Sequence, residues 1–186
     1  MRALPLKLEN LDFRFENTPV KVIANRNHPE IKLVGLSIGP LQEGNEYELY
    51  FWVANELAQQ GIVHFREDDT FDATKLYRTQ WKERVQTAGQ ISKLQEDFYP
   101  KLRRHLQTLK NQISQQPEKI IEYEKAQTLA CDIVNNRLKK IVSLSAAPTQ
   151  TDQFTKKLTT EEKLLFDQLV KLITQWRIHI IETQEQ

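Results

Sequence analysis

The 186-residue chain has a single cysteine, Cys131, which excludes an internal disulfide and any zinc site built from several cysteines. It stands in the helical pattern TLACDIVNN and reads as a small core residue. Only five glycines occur, few for a backbone that must wrap around phosphates, and there is no GxxxxGK[ST], GxGxxG or GxSxG stretch. The four histidines, His28, His64, His105 and His179, lie far apart and none belongs to an HExxH arrangement. No catalytic, cofactor-binding or metal-ligating residue is therefore assigned, and a non-enzyme without a cofactor is expected. Charge is balanced, with 26 Lys and Arg against 25 Asp and Glu, so nothing global demands nucleic acid or an anionic membrane. No run approaches the roughly 18 apolar residues needed to span a bilayer, and MRALPLKLENLD lacks an uninterrupted apolar signal core. A soluble, unsecreted protein is expected.

What is present divides in two. Four of the five glycines and four of the seven prolines fall within the first 61 residues, and the remainder is dense in Gln, Lys, Glu and Leu. In the first region LDFRF places Leu11, Phe13 and Phe15 on one face of an extended strand, PVKVIA repeats the alternation, and IKLVGLSI is broken by Gly35 and Gly39 before Pro40 ends it. These runs predict a small β unit.

Helices follow. One is expected from Asn45, with Glu48 as its capping partner, to a stop at Gly61, and it is apolar almost all the way round. A second covers 71–88, with Leu76, Tyr77, Trp81 and Val85 on one face, and the cluster Glu67, Asp68, Asp69 and Asp72 reads as its dipole-compensating start. The third follows Gly89 with a stripe from Ile91 to Ile113, kinked or broken near Asp97 because Pro100 lies within it. A fourth runs from Pro117 to about Ala146, and after a polar loop a fifth opens at Thr159 with Glu162 completing a capping box. The expected fold class is α+β, mainly α: a small N-terminal β domain over 1–43, a five-helix bundle over 44–182, and a frayed tail over 183–186.

Two basic runs stand out. KLRRHLQTLK supplies Lys101, Arg103 and Arg104, and NNRLKK supplies Arg137, Lys139 and Lys140. On neighbouring antiparallel helices they could merge into a phosphate-binding patch; the competing reading is a solvated helix face, favoured because no aromatics interleave for base stacking.

The segment 31–65 carries a further pattern: Leu33-Val34, Gly35, Gly39-Pro40, a polar link, then Glu48-Leu49 with Trp52, Ala54 and Leu57. It resembles the subunits of the GINS complex of DNA replication, and LTTEEKLLFDQLVKLI, 158–173, is similar to the closing helix of that family's helical domain. With the β unit first, the chain looks like the archaeal subunit related to the second and third eukaryotic members. The resemblance implies a non-catalytic scaffold in a tetramer with a second GINS-type subunit, two copies of each. It bridges the MCM helicase and a Cdc45/RecJ-like protein to activate unwinding, and can tether primase or polymerase, with only weak or indirect DNA contact. A cytoplasmic, nucleoid-associated location follows, or a nuclear one in a eukaryote. On this reading Gly35, Gly39 and Pro40 form the domain junction, and Trp52, Phe98, Leu102, Leu106 and Ile133 belong to the tetramer interface. An unrelated helical adaptor and a direct DNA-binding protein using the basic helix faces are the alternatives.

Overall fold

The computed structural model of the protein describes residues 4–66, 71–86, 90–114, 116–147 and 154–181, with the backbone alone for residues 4–7. The chain separates into two compact units, Met1–Thr70 and Phe71–Gln186.

The first unit opens with a helix, α1 (Leu4–Glu16), where the alternation in LDFRF points to a strand. Leu8, Leu11 and Phe15 are also spaced by three and four, and this second period decides the conformation: those three are half-buried, while Phe13 is 67% exposed. Phe15 packs on Phe51 with ring centroids 4.5 Å apart.

Strands β1 (Pro19–Ala24), β2 (Ile31–Leu33), β3 (Leu36–Ile38), β4 (Glu46–Tyr50) and β5 (Val63–Phe65) follow, with α2 (Phe51–Gln59) between the last two. One sheet has the order β4-β1-β5, antiparallel throughout; β2 and β3 form a separate hairpin. The helix expected from Asn45 is thus half strand. EYELY alternates, Tyr47 and Leu49 turn inward opposite Val22 and Val20, and the helix begins only at Phe51. A continuous apolar run conceals this change, because Leu49 to Ala54 fits either period. The core consists of Val22, Ala24, Ile38, Leu41, Val53, Ala54, Leu57, Ile62 and Val63. Each Val, Leu or Ile side chain among them, fully buried, stabilises by about 1.5–3 kcal/mol before the entropy of ordering it is subtracted.

Gly35 and Gly39 act inside this unit, and the two units divide after Thr70. Gly35 (φ +80°) closes the two-residue turn between β2 and β3. Gly39 (φ +90°) precedes a cis Pro40, and a Cβ there would lie 2.9 Å from the Leu41 nitrogen, so only glycine lets the chain bring Leu41 into the core.

The second unit contains α3 (Ala73–Val85), α4 (Phe98–Ile113), α5 (Ile120–Ser145) and α6 (Thr160–Ile181). The protein is mainly α with a small N-terminal sheet region, as expected, and the first of the five anticipated helices, α2, belongs to the first unit. Asp72 caps α3 by accepting from the Lys75 N–H at 2.7 Å; Glu67, Asp68 and Asp69 lie outside the described residues. The expected third helix does not begin after Gly89: residues 90–95 are not helical and α4 starts only at Phe98, which puts Pro100 in its first turn, where the missing N–H costs no hydrogen bond. Pro117 opens a 3₁₀ turn ahead of α5. Two apolar clusters form the interior, one of Leu76, Phe98, Leu102, Leu109, Ala126, Ala130 and Ile133, the other of Ile91, Ile141, Phe154 and Phe166.

Candidate functional site

Helix α3 is amphipathic the wrong way round for a lone subunit. Tyr77, Trp81 and Val85, spaced by four, form one stripe and are 61%, 58% and 62% exposed, whereas Leu76, Gln80 and Glu83 face inward. The apolar spacing that suggests a core face marks the outer one here. Two buried polar residues explain the inversion, because each meets a partner on α5.

Gln80 donates to Asp132 at 3.2 Å. Glu83 accepts from Arg137 Nη1 at 2.6 Å and from Lys140 Nζ at 2.9 Å, and Ser92 Oγ donates to it as well. Arg137, fully buried, also grips Glu162 of α6 through both ends of its fork, Nε to Oε1 at 2.5 Å and Nη2 to Oε2 at 2.7 Å, and donates to the Ser92 carbonyl at 3.0 Å. Tyr99 donates to Glu162 at 2.6 Å. Glu162 meanwhile accepts from the Thr159 N–H, and its own N–H donates to the Thr159 hydroxyl, which completes the capping box. A low-dielectric site tolerates these charges because two cations balance two carboxylates and each charged group is hydrogen-bonded to a partner.

The titration directions follow from this closure. Burial pushes the Glu83 carboxyl up, but the hydrogen bonds from Ser92 and Lys140 and the charge of Arg137 outweigh it and leave the group below its usual value. Burial disfavours the Arg137 cation, yet Glu162 and Glu83 hold its pKa above the ordinary arginine range. Burial and the neighbouring Glu162 raise Tyr99. Buried carboxylates paired with cations and hydrogen-bonded in this way make a fastener for α3, α4, α5 and α6, not an acid–base pair facing a substrate.

The fastener removes part of the basic patch expected from sequence. Arg137 is interior and Lys140 is tied to Glu83, which leaves Lys139 exposed on α5; on α4, Lys101 pairs with Asp97 at 2.7 Å beside Arg103 and Arg104. The anticipated interface residues also divide. Phe98, Leu102 and Ile133 are buried within their own subunit and Leu106 packs against the same cluster, so their stripe closes the bundle; Trp52 is 44% exposed. Instead α5 presents Val134, Leu138 and Val142, spaced by four and each at least 40% exposed. Sequence reasoning missed this face because α5 is apolar on two sides, and only the partners of Arg137 show which side faces inward. Among the described residues no group of three His, Cys, Asp or Glu side chains could hold a metal ion, and no helix is long and apolar enough to cross a membrane.

Both α3 and α5 thus expose an apolar stripe in the single chain. Residues 68–180, more than half of the chain, match the family model for the GINS complex protein helical bundle domain. The chain belongs to the GINS family. Residues 7–64 match the PSF2 N-terminal domain, which relates this GINS subunit to PSF2, and the two matches meet near the Thr70–Phe71 division. No curated protein matches the chain. Membership in GINS makes the protein a subunit of a DNA-replication complex with other GINS subunits, and a non-enzyme role accords with the family.

Proposed function

We propose that this GINS subunit is a non-catalytic scaffold that joins companion subunits into a tetramer, two copies of each of two types. The assembly holds the MCM helicase and a Cdc45/RecJ-like protein together so that unwinding is activated, with primase or polymerase tethered to it. The observation that carries this reading is the inverted amphipathy of α3: Trp81 and its neighbours face outward while Glu83 is secured inside by Arg137 and Lys140. Large aromatic residues on an exposed helical stripe are the kind that anchor protein interfaces when covered. Several moderate interfaces acting together suffice to hold a motor in one arrangement, because tethering raises the effective concentration of each partner for the next. Such work places the protein at the replication fork, in the nucleoid or the nucleus. Light scattering after size exclusion, on the chain alone and mixed with a second GINS-type subunit from the same genome, tests the proposal. A discrete complex with equal amounts of both is expected; a chain that stays monomeric beside that subunit would overturn it.

A further inference from the structure

The distal half of α6 leaves large apolar side chains exposed. Helix α6 is about 33 Å long at 1.5 Å per residue, but only its first half packs into an apolar cluster, through Leu165, Phe166, Leu169 and Val170, with Glu162 gripped by Arg137. From Lys171 to Ile181 every residue except Ile173 is exposed, among them Leu172 at 59%, Trp176 at 62% and Ile180 at 62%. Leu172, Ile173, Trp176 and Ile180 continue, by steps of one, three and four, the same face that Leu165 and Leu169 turn toward the core. The stripe therefore runs on beyond the part of the bundle that covers it.

Charge identifies the partner's chemistry. Lys171, Gln175 and His179, spaced by four, border one side of the stripe and Arg177 the other, and no Asp or Glu occurs between Asp167 and Glu182. Arg177 also donates to the Ala146 carbonyl at the end of α5, at 2.8 Å, which holds the projecting segment in a fixed direction. Two copies of this surface laid together would offer the cations Lys171 and Arg177 no carboxylate between Asp167 and Glu182 to pair with. We propose that the distal half of α6 docks its Leu172-Ile173-Trp176-Ile180 stripe against an apolar helix face bordered by Asp and Glu on the companion subunit of the assembly. This rests on the scaffold reading above and adds the surface and its chemistry.

The experiment uses the full chain and the second GINS-type subunit from the same genome, with binding measured by calorimetry and mass by light scattering. Trp176→Glu combined with Ile180→Glu removes the apolar stripe. Lys171→Glu combined with Gln175→Glu reverses one border while sparing the Arg177 contact, and both pairs change exposed residues, so circular dichroism should show unaltered folding. The expected results are at least about thirtyfold weaker binding for the stripe variant, about tenfold weaker binding for the border variant, and a wild-type affinity that falls with salt. Wild-type binding that neither variant alters would overturn this proposal and leave the scaffold reading standing. A wild-type dimer without the companion, abolished by the stripe variant, would make a second copy the occupant and also overturn it. Failure of the wild type to bind the companion would overturn both.

Discussion

Arg137 and Glu162 meet as a bidentate pair inside the helical unit, Nε to Oε1 at 2.5 Å and Nη2 to Oε2 at 2.7 Å, with both side chains almost completely shielded from solvent. The pair joins α5 to the first turn of α6, and Glu83 on the other side of the guanidinium adds α3. Removing Arg137 leaves Glu162 buried without a cation while Glu83 keeps Lys140, and a buried charge stripped of its partner is more damaging than never having had the network. Arg137→Met should therefore destabilise the protein by about 3–5 kcal/mol. The triple variant Tyr99→Phe, Arg137→Met, Glu162→Met, which removes the polar unit together and leaves Glu83 with Lys140, should lose less than the single one. Urea unfolding of the three proteins checks the ranking, and a triple variant weaker than Arg137→Met would refute the account.

Acid should loosen the same fastener. The carboxyl of Glu83 titrates below 4.5 in the fold and near 4.5 when unfolded. The unfolded chain thus binds the proton first as pH falls, so the stabilisation is complete above about 4.5 and disappears as pH drops through the lower, folded value. Chemical denaturation between pH 7 and 3 should show stability declining in that acid window. In Glu83→Gln the decline should be shallower and the stability at pH 7 lower.

His105 has the same sign at a higher pH. Its ring lies 5.7 Å from that of Phe71, and its Nε2 is buried without a hydrogen-bond partner among the described residues. Burial lowers its pKa below 6.5, with Glu122 and Asp72 opposing the effect in part. The unfolded chain gains the proton first as pH falls from 6.5, so stability should decrease below that value until the folded form is protonated too. Replacing His105 with Phe should flatten the stability profile between pH 6.5 and 5; an unchanged slope would show that another group titrates there.

Two glycines separate backbone strain from crowding. Gly35 and Gly39 both have positive φ, but a Cβ meets nothing within 4 Å at Gly35 and the Leu41 nitrogen at 2.9 Å at Gly39. Gly35→Ala should cost about 1–2 kcal/mol from the left-handed conformation alone, and Gly39→Ala should cost more, because the Leu41 backbone must also move out of a core position. Thermal melts of the two variants give the comparison directly. Equal losses would mean that the hairpin, rather than the Leu41 packing, sets the penalty.

The extent to which the fold was legible depended on whether two periods competed. Along α5 and α6 only the helical spacing fitted, and the Thr159–Glu162 box and Pro117 marked the starts, so those elements were readable. Around Leu11 to Phe15 and Leu49 to Ala54 the apolar residues satisfied both periods, and tertiary pairing decided: Phe51 drew Phe15 onto a helix, and β1 drew Glu46–Tyr50 into the sheet. The direction of a helix face was less legible still. Trp81 outward and Glu83 inward contradict the usual hydrophobicity rule, and the reason, Arg137, lies 54 residues further on. A basic residue in NNRLKK gives no local sign that two carboxylates will enclose it.

The outward placement of Trp81 supplies the most direct test of assembly. A residue 58% exposed contributes little to the stability of its own unit, so Trp81→Glu should shift the unfolding free energy by no more than about 0.5 kcal/mol. If the α3 stripe is covered in the complex, the same change buries a carboxylate without a partner in an apolar contact, and binding of the companion GINS subunit should weaken by about two orders of magnitude. Leu76→Ala provides the contrast from the opposite side of α3: Leu76 is fully buried, and its loss should cost about 2–5 kcal/mol of stability while leaving the binding surface of the folded fraction intact. Denaturation and calorimetry on the two variants should therefore give opposite results, one stable and unable to assemble, the other unstable and able to. If Trp81→Glu assembles normally, the α3 stripe is not an interface, and the inverted amphipathy would need a cause other than a partner subunit.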